Sequence, residues 1–313
     1  MTRHFLRDDD LAPGEQAEVL ALAADLKASR HAVRPFEGPQ AVALIFDKPT
    51  LRTQASFSAG VAELGGYPML VDGNLARIGT RESVADVARV LGRMVSAVVW
   101  RTFGQERLEE MAAHAGVPVV NALTDEFHPC QLLADLLTVQ EAKGPLAGLT
   151  VAFLGDAASN MSHSFLLAGA TAGMHVRVSG PDGFGPDPAV LARAAALAGS
   201  TGGSATYERD AVAAVGGADV VVTDTWVSMG KEDEAEARRR PFRPYALTTA
   251  LLGHADPDAV VLHCLPAYRG VEIEADVIDG PRSLVWQEAG NRLHAQKALL
   301  AWLMAHQGGG APG

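Results

Sequence analysis

Short apolar runs recur along the chain, with amphipathic stretches between them. AVALIF (41–46), PMLVD (68–72), SAVVW (96–100) and VPVVNA (117–122) show little polar alternation, the pattern of strands covered on both faces. LRTQASFSAGVAELGG, ESVADVARVLGRM and QERLEEMAAHAG place Ala, Leu and Val at helical spacing, with glycines near their ends. After a long helical stretch, HPCQLLADLLTVQEAKGPL (128–146), the alternation restarts. LTVAFLGD (149–156), MHVRVSG, SATYE, ADVVVTD (218–224) and AVVLHCLP (259–266) are the next candidate strands. Strands separated by helices of this length predict parallel sheets with helices on both faces. The expected fold class is α/β, with two doubly wound parallel-sheet domains joined by long helices.

Lys143-Gly144-Pro145 ends the helix that leaves the first domain. The amphipathic stretch RLHAQKALLAWLMAH (292–306) is expected to pack back on that domain. The domains are then 1–135 plus 286–313, and 136–285. The tail QGGGAPG (307–313) reads as frayed. SMGKEDEAEARRRPF (228–242) is either a solvated loop or a lid beside a site. No repeat of solenoid period is visible.

Composition adds three exclusions. A length of 313 residues fits two domains, and 48% hydrophobic with 20% charged residues excludes disorder and coiled coil. The net charge of −11 argues against a nucleic acid or an anionic membrane as partner. Cys130 and Cys264 form no disulfide framework, which suits a reducing compartment. The start, MTRHFLRDDD, is charged where a signal peptide is apolar, and ALLAWLMA (298–305) is too short to span a membrane. A cytoplasmic location is expected.

Candidate chemistry falls at strand-to-helix junctions, where open α/β sheets bind ligands. KPTLRT (48–53) brings hydroxyls, Arg52 and helix-start N–H groups together, a combination suited to phosphate. Thr50 as a plain helix cap is the alternative. Arg101 follows a strand of the same sheet, and a surface ion pair is the alternative for it alone. His128 and Gln131 share one face at the start of the long helix. No further His, Cys or acid stands at metal-ligand spacing from His128, which rejects zinc. GDAASNM (155–161) lacks the GxGxxG glycines a dinucleotide needs, and Asn160 is a candidate ligand for a polar group instead. Asp224 offers a carboxylate to a cation. Cys264 in HCLP (263–266) is either a small core hydrophobe or a site residue. Arg292 in GNRLH opens the last helix.

In this order, from RHFL to NRLHAQKALL, these motifs resemble the aspartate/ornithine carbamoyltransferases, and DTWVSMG points to the ornithine branch. The resemblance implies a carbamoyl-phosphate domain (1–135 plus 286–313), an ornithine domain (136–285) and a homotrimer, with no metal and no organic cofactor. By matching position, carbamoyl phosphate is expected at Thr50, Leu51, Arg52, Thr53, Arg101, His128, Gln131 and Arg292, with backbone groups of Cys264 and Leu265 on the carbamoyl group. Ornithine is expected at Asn160, Asp224, Ser228 and Met229. Arg52, Thr53, Arg101, His128 and Cys264 carry the expected catalytic roles. The implied reaction gives citrulline and phosphate and serves arginine biosynthesis.

The chemistry suits these residues. A cationic pocket lowers an amine pKa, which favours the attacking form of the δ-amine. Thr53, Arg101 and His128 can donate to the carbonyl oxygen as it gains charge, each donor contributing ~3 kcal/mol. The leaving phosphate can take the amine proton itself.

Several positions depart from the family pattern. Thr50 stands for a frequent serine, Gln54 for an arginine and Gly290 for a glutamate. Ala157 and Ser159 stand for a glycine and an asparagine. Arg77 stands where many members carry a glutamine that reaches a neighbouring subunit's site; there it would restore positive charge lost at Gln54. The competing readings are carbamoyl transfer to putrescine or N-acetylornithine, a non-catalytic regulatory paralogue, and, last, a dinucleotide oxidoreductase.

Overall fold

The computed structural model describes residues 2–226 and 239–307. The tail beyond Gln307 and most of the charged loop of 228–242 lie outside the described residues. The chain divides into two compact units, Met1–Ala134 with Asn291–Gly313, and Asp135–Gly290. Both are parallel-sheet α/β domains, as the strand and helix periodicities predict.

The first unit is built on β1 (Ala41–Phe46), β2 (Tyr67–Asp72), β3 (Ala97–Arg101) and β4 (Val119–Leu123), in the order β2-β1-β3-β4. All neighbours are parallel. β1 and β3 are central and almost wholly buried, which accounts for their unbroken apolar runs. β2 is an edge strand with Tyr67 and Leu70 exposed, and it tolerates Pro68, which has no N–H to give a ladder. The chain crosses from β1 to β2 on one side and returns to β3 on the other. The carboxyl ends of β1 and β3 therefore flank the switch point of the sheet. Helices α1 (Pro13–Ala28), α2 (Arg52–Glu63), α3 (Gly73–Ala76), α4 (Val84–Leu91) and α5 (Gln105–Ala115) complete this part, α1 lying outside the sequence-derived alternation.

The C-terminal helix, Val285–Ala305, supplies Ala295, Ala298, Leu299 and Leu303 to the buried core. Gly60 of α2 allows its close approach, since an added Cβ would lie 3.1 Å from Lys297 Cγ. The Lys297 ammonium is fully buried and donates to Glu63 Oε2 at 2.7 Å and to the Arg30 carbonyl at 2.5 Å.

The second unit has β5 (Thr150–Leu154), β6 (His175–Ser179), β7 (Ser204–Glu208), β8 (Val220–Thr223) and β9 (Val260–Leu262), ordered β7-β6-β5-β8-β9 and all parallel. Its switch point lies between β5 and β8. α6 (Pro129–Lys143) carries the chain from the first unit into the second, and α7 (Asn160–Thr171) follows β5. β9 is shorter than the run AVVLHCLP suggests. The backbone leaves the sheet at His263, and Leu265 takes a left-handed conformation at φ 60°. Among the described residues no helix is long and apolar enough to cross a membrane.

Glu63→Ala strands a buried ammonium and is expected to cost about 3 kcal/mol of stability in urea unfolding. Adding Lys297→Met should recover most of that loss; strict additivity of the two losses would count against the pair.

Candidate active site

The carboxyl edge of the first sheet is organised by one carboxylate. Asp47 follows β1, and its Oδ2 accepts from Trp100 Nε1 at 3.1 Å and Thr102 Oγ1 at 2.7 Å. These residues flank Arg101, so Asp47 fixes the chain on both sides of that arginine. Arg107 pairs with the same oxygen at 3.4 Å, lies over the Trp100 ring and donates to the Ile78 carbonyl at 2.6 Å. Gly73 packs so close that an added Cβ would sit 2.0 Å from Asp47 Oδ1. The framework thus touches both ends of the segment that carries Arg77.

Five of the residues expected to bind carbamoyl phosphate converge in this unit. Arg292 Nη1 donates to Gln131 Oε1 at 2.5 Å, and Nη2 to Thr53 Oγ1 at 3.3 Å. His128, Gln131, Arg101, Thr53 and Arg292 are all buried. Burial, with the positive fields of Arg292, Arg101 and Arg52, holds the His128 imidazolium well below its usual pKa. The ring is therefore neutral at pH 7 and keeps one N–H to donate. Leu51 occupies the N-cap of α2 without a side-chain bond, so the alternative of Thr50 as cap is not what forms.

Arg77 does not join this group within the chain. It is exposed, sits at φ 48°, and its guanidinium makes no hydrogen bond or ion pair among the described residues. Thr50 is half-buried, and Leu51 and Gln54 are exposed.

In the second unit the expected residues also follow strands. Asn160 opens α7 behind a Ser159 cap. Asp224 follows β8, and its Oδ1 accepts the Cys264 thiol at 3.1 Å. Burial, then the fields of Asp224 and Glu288, push that thiol well above its ordinary pKa, so Cys264 is a hydrogen-bond donor and no thiolate nucleophile. His263 Nδ1 accepts from Leu265 N at 2.9 Å, which places its proton on Nε2, 3.3 Å from Glu272 Oε1. That carboxylate also accepts from Tyr268 N at 2.5 Å, and Glu288 accepts from His263 N at 2.9 Å. Ser228 and Met229 lie outside the described residues.

One ligand atom each from Asp224, His263 and Cys264 lies within 4.8 Å of the others, a grouping that sequence spacing does not reveal. Here the thiol proton is given to Asp224 and the Nδ1 lone pair is taken by Leu265. The trio therefore acts as a hydrogen-bonded support for the turn after β9.

Residues 3–141 match the family model for the aspartate/ornithine carbamoyltransferase carbamoyl-P binding domain, and residues 147–303 match its Asp/Orn binding domain. The chain belongs to the aspartate/ornithine carbamoyltransferase family. The ornithine carbamoyltransferase of Clavibacter michiganensis subsp. michiganensis is 60% identical over 304 residues, covering 97% of this chain and 99% of the relative. That of Mycolicibacterium paratuberculosis is 58% identical over 305 residues, with the same coverage, 97% and 99%. Among solved structures, ornithine carbamoyltransferase from Pyrococcus furiosus is 42% identical, with a TM-score of 0.93 and 97% of each chain covered. The carbamoyltransferase model for the second domain runs to residue 303, whereas the C-terminal helix from Asn291 groups in space with the first unit. Arg292 and its partners Thr53 and Gln131 are thus in one compact unit.

The neutral His128 carries a stability signature. Unfolded, it takes up a proton near pH 6.5; folded, only well below that. Stability is intact above about pH 6.5 and is lost as pH falls through that value toward the folded one, by up to ~1.4 kcal/mol per unit. Urea unfolding between about pH 7.5 and about pH 5.5 should show a shallower decline in His128→Asn; an identical slope would mean that the imidazole is not buried neutral.

Proposed function

We propose that this chain transfers the carbamoyl group of carbamoyl phosphate to the δ-amine of L-ornithine, giving L-citrulline and phosphate. The observation that carries the reading is the set Arg52, Arg101 and Arg292 around neutral His128, with Thr53 and Gln131 on the Arg292 fork. It concentrates positive charge and neutral donors where a phosphorylated carbonyl compound would lie.

In this reading, Thr50 to Thr53 and the start of α2 hold the phosphate, with Arg52 as its main cation. Arg101, His128, Gln131 and Arg292 hold the carbamoyl phosphate from the other side. The δ-amine attacks the carbonyl carbon and the carbonyl oxygen becomes anionic. Thr53, Arg101 and the N–H of His128 donate to it, each donor being worth ~3 kcal/mol in reactions of this kind. The C–O bond to phosphate then breaks, and the phosphate takes the proton shed by the amine. At Leu265 the N–H is already given to His263, so a backbone contact to the carbamoyl NH2 falls to carbonyl oxygens of Cys264 and Leu265.

Asp224 takes the α-ammonium of ornithine, with Cys264 fixing its carboxylate, and Asn160, Ser228 and Met229 complete the ornithine set. Asp224 and the SMG loop together separate the competing amines on chemical grounds. A substrate with both an α-ammonium and an α-carboxylate needs both; putrescine has no α-carboxylate for the loop, and N-acetylornithine has no α-ammonium for Asp224. We further infer a homotrimer in which Arg77 serves a neighbouring copy's site. The apolar surface of β2 supports it, since Tyr67 is 59% and Leu70 51% exposed, with Leu75 at 78% beyond the strand. The Arg77 guanidinium, without a hydrogen bond or ion pair among the described residues, fits the same reading. We also propose a cytoplasmic role in arginine biosynthesis.

Purified protein incubated with carbamoyl phosphate and, separately, ornithine, putrescine, N-acetylornithine or aspartate should release phosphate and a carbamoylated product with ornithine alone. No turnover at saturating ornithine would sink this reading. Arg77→Gln should raise the carbamoyl phosphate KM about tenfold, equivalent to ~1.4 kcal/mol, and leave the ornithine KM unchanged. An unchanged carbamoyl phosphate KM would remove Arg77 from the site.

A further inference from the structure

Arg292 is held by more than Thr53 and Gln131. Gln296 lies one helical turn further along the C-terminal helix and is buried. With its amide oxygen toward the guanidinium, it accepts from Arg292 Nη2 at 3.0 Å and from Nε at 2.9 Å. In the same orientation its amide nitrogen donates to Ser56 Oγ at 2.7 Å. Ser56 in turn donates to the Arg52 carbonyl at 2.7 Å, within the first turn of α2. A continuous chain of hydrogen bonds therefore links the Arg292 fork to the backbone of Arg52.

Two features set Gln296 apart from an ordinary buried amide. It takes two donors of one guanidinium, and so fixes the plane of the fork as well as its position. It is also neutral. A carboxylate at this position would orient the fork equally well but would cancel its charge, whereas Gln296, Gln131 and Thr53 orient it and leave the charge in place. Gly290, two residues before Arg292, adds no side chain that could share this task.

We propose that Gln296 is a positioning residue for carbamoyl phosphate binding: it sets the plane of the Arg292 guanidinium, preserves its charge and, through Ser56, ties it to the phosphate loop. The proposal rests on the reading of Arg292 as a carbamoyl phosphate ligand.

Three variants test it by steady-state kinetics for both substrates, together with thermal unfolding. Gln296→Leu removes the acceptor and should raise the carbamoyl phosphate KM about tenfold, with the ornithine KM within about twofold of the parent. Gln296→Glu keeps the size and the acceptor for Arg292, gives up the N–H donated to Ser56 Oγ and brings a negative charge. Its ion pair with Arg292 should offset the lost Ser56 bond in thermal unfolding, and yet it should show a larger rise in carbamoyl phosphate KM, a split that a merely structural role would not produce. It also keeps the test decisive should the leucine variant fail to fold. In an Arg292→Lys background, Gln296→Leu should add little further loss. Gln296→Glu with parental carbamoyl phosphate KM, or full additivity with Arg292→Lys, would overturn the proposal. If Arg292→Lys itself leaves that KM unchanged, the reading of Arg292 fails and the role of Gln296 falls with it. If Arg292→Lys raises the KM and the Gln296 variants do not, only the positioning role fails.

Discussion

Positive charges held close together and away from water repel one another, and each must still be hydrogen-bonded. Arg101 and Arg292 are buried, and with Arg52 they act on one imidazole. Carboxylate partners would relieve that repulsion but abolish the field an anion needs. The first unit surrounds Arg292 with neutral acceptors instead, from Thr53, Gln131 and Gln296. His128 follows the same constraint. Protonation would add a further cation beside Arg292, Arg101 and Arg52, so the ring stays neutral and serves as a donor. These neutral partners orient the Arg292 charge without cancelling it.

Carboxylates are used one layer behind. Asp47 takes Trp100, Thr102 and Arg107, and so fixes the backbone around Arg101 without touching its guanidinium in any of these bonds. The second unit repeats the device. Glu272 and Glu288 hold His263 by its ring and its backbone, and His263 holds the N–H of Leu265. A non-glycine residue at φ 60° persists when its surroundings over-determine it, and these bonds supply that determination. The Cys264 thiol is thereby presented to Asp224 as a donor.

Much of this was legible in the chain, for physical reasons that also mark its limit. Central parallel strands are covered on both faces, so AVALIF and SAVVW read as unbroken apolar runs, and residues just beyond them fall at the ligand-binding edge. Sequence alone therefore puts Arg52, Arg101, His128 and Asn160 near that edge. The helix α1 escaped because it precedes the strand-helix alternation that organised the reading. Asp47 with Arg107, and Asp224 with His263 and Cys264, escaped because their partners are distant in sequence and meet only through sheet register. Gln296 left one usable signal, its i+4 spacing from Arg292, but a glutamine on an amphipathic helix reads as a solvated position until the burial of that face is known.

The same distinction resolves the net charge of −11, which at first sight opposes an anionic substrate. The sum counts acids without regard to what they hold. Asp47 is committed to Arg107 and two neutral donors, Glu63 to Arg30 and Lys297, Glu15 to Arg3, and Asp125 to Lys48. Within the first unit these carboxylates compensate framework cations, whereas the bonds seen on Arg292 come from uncharged groups. Long-range negative potential is weakened by salt over roughly 8 Å at physiological ionic strength, so a small anion close to three guanidiniums is governed mainly by them. An acidic protein can thus hold an anion tightly, provided that its acids are spent on structure and its amides and hydroxyls on orienting the arginines that bind.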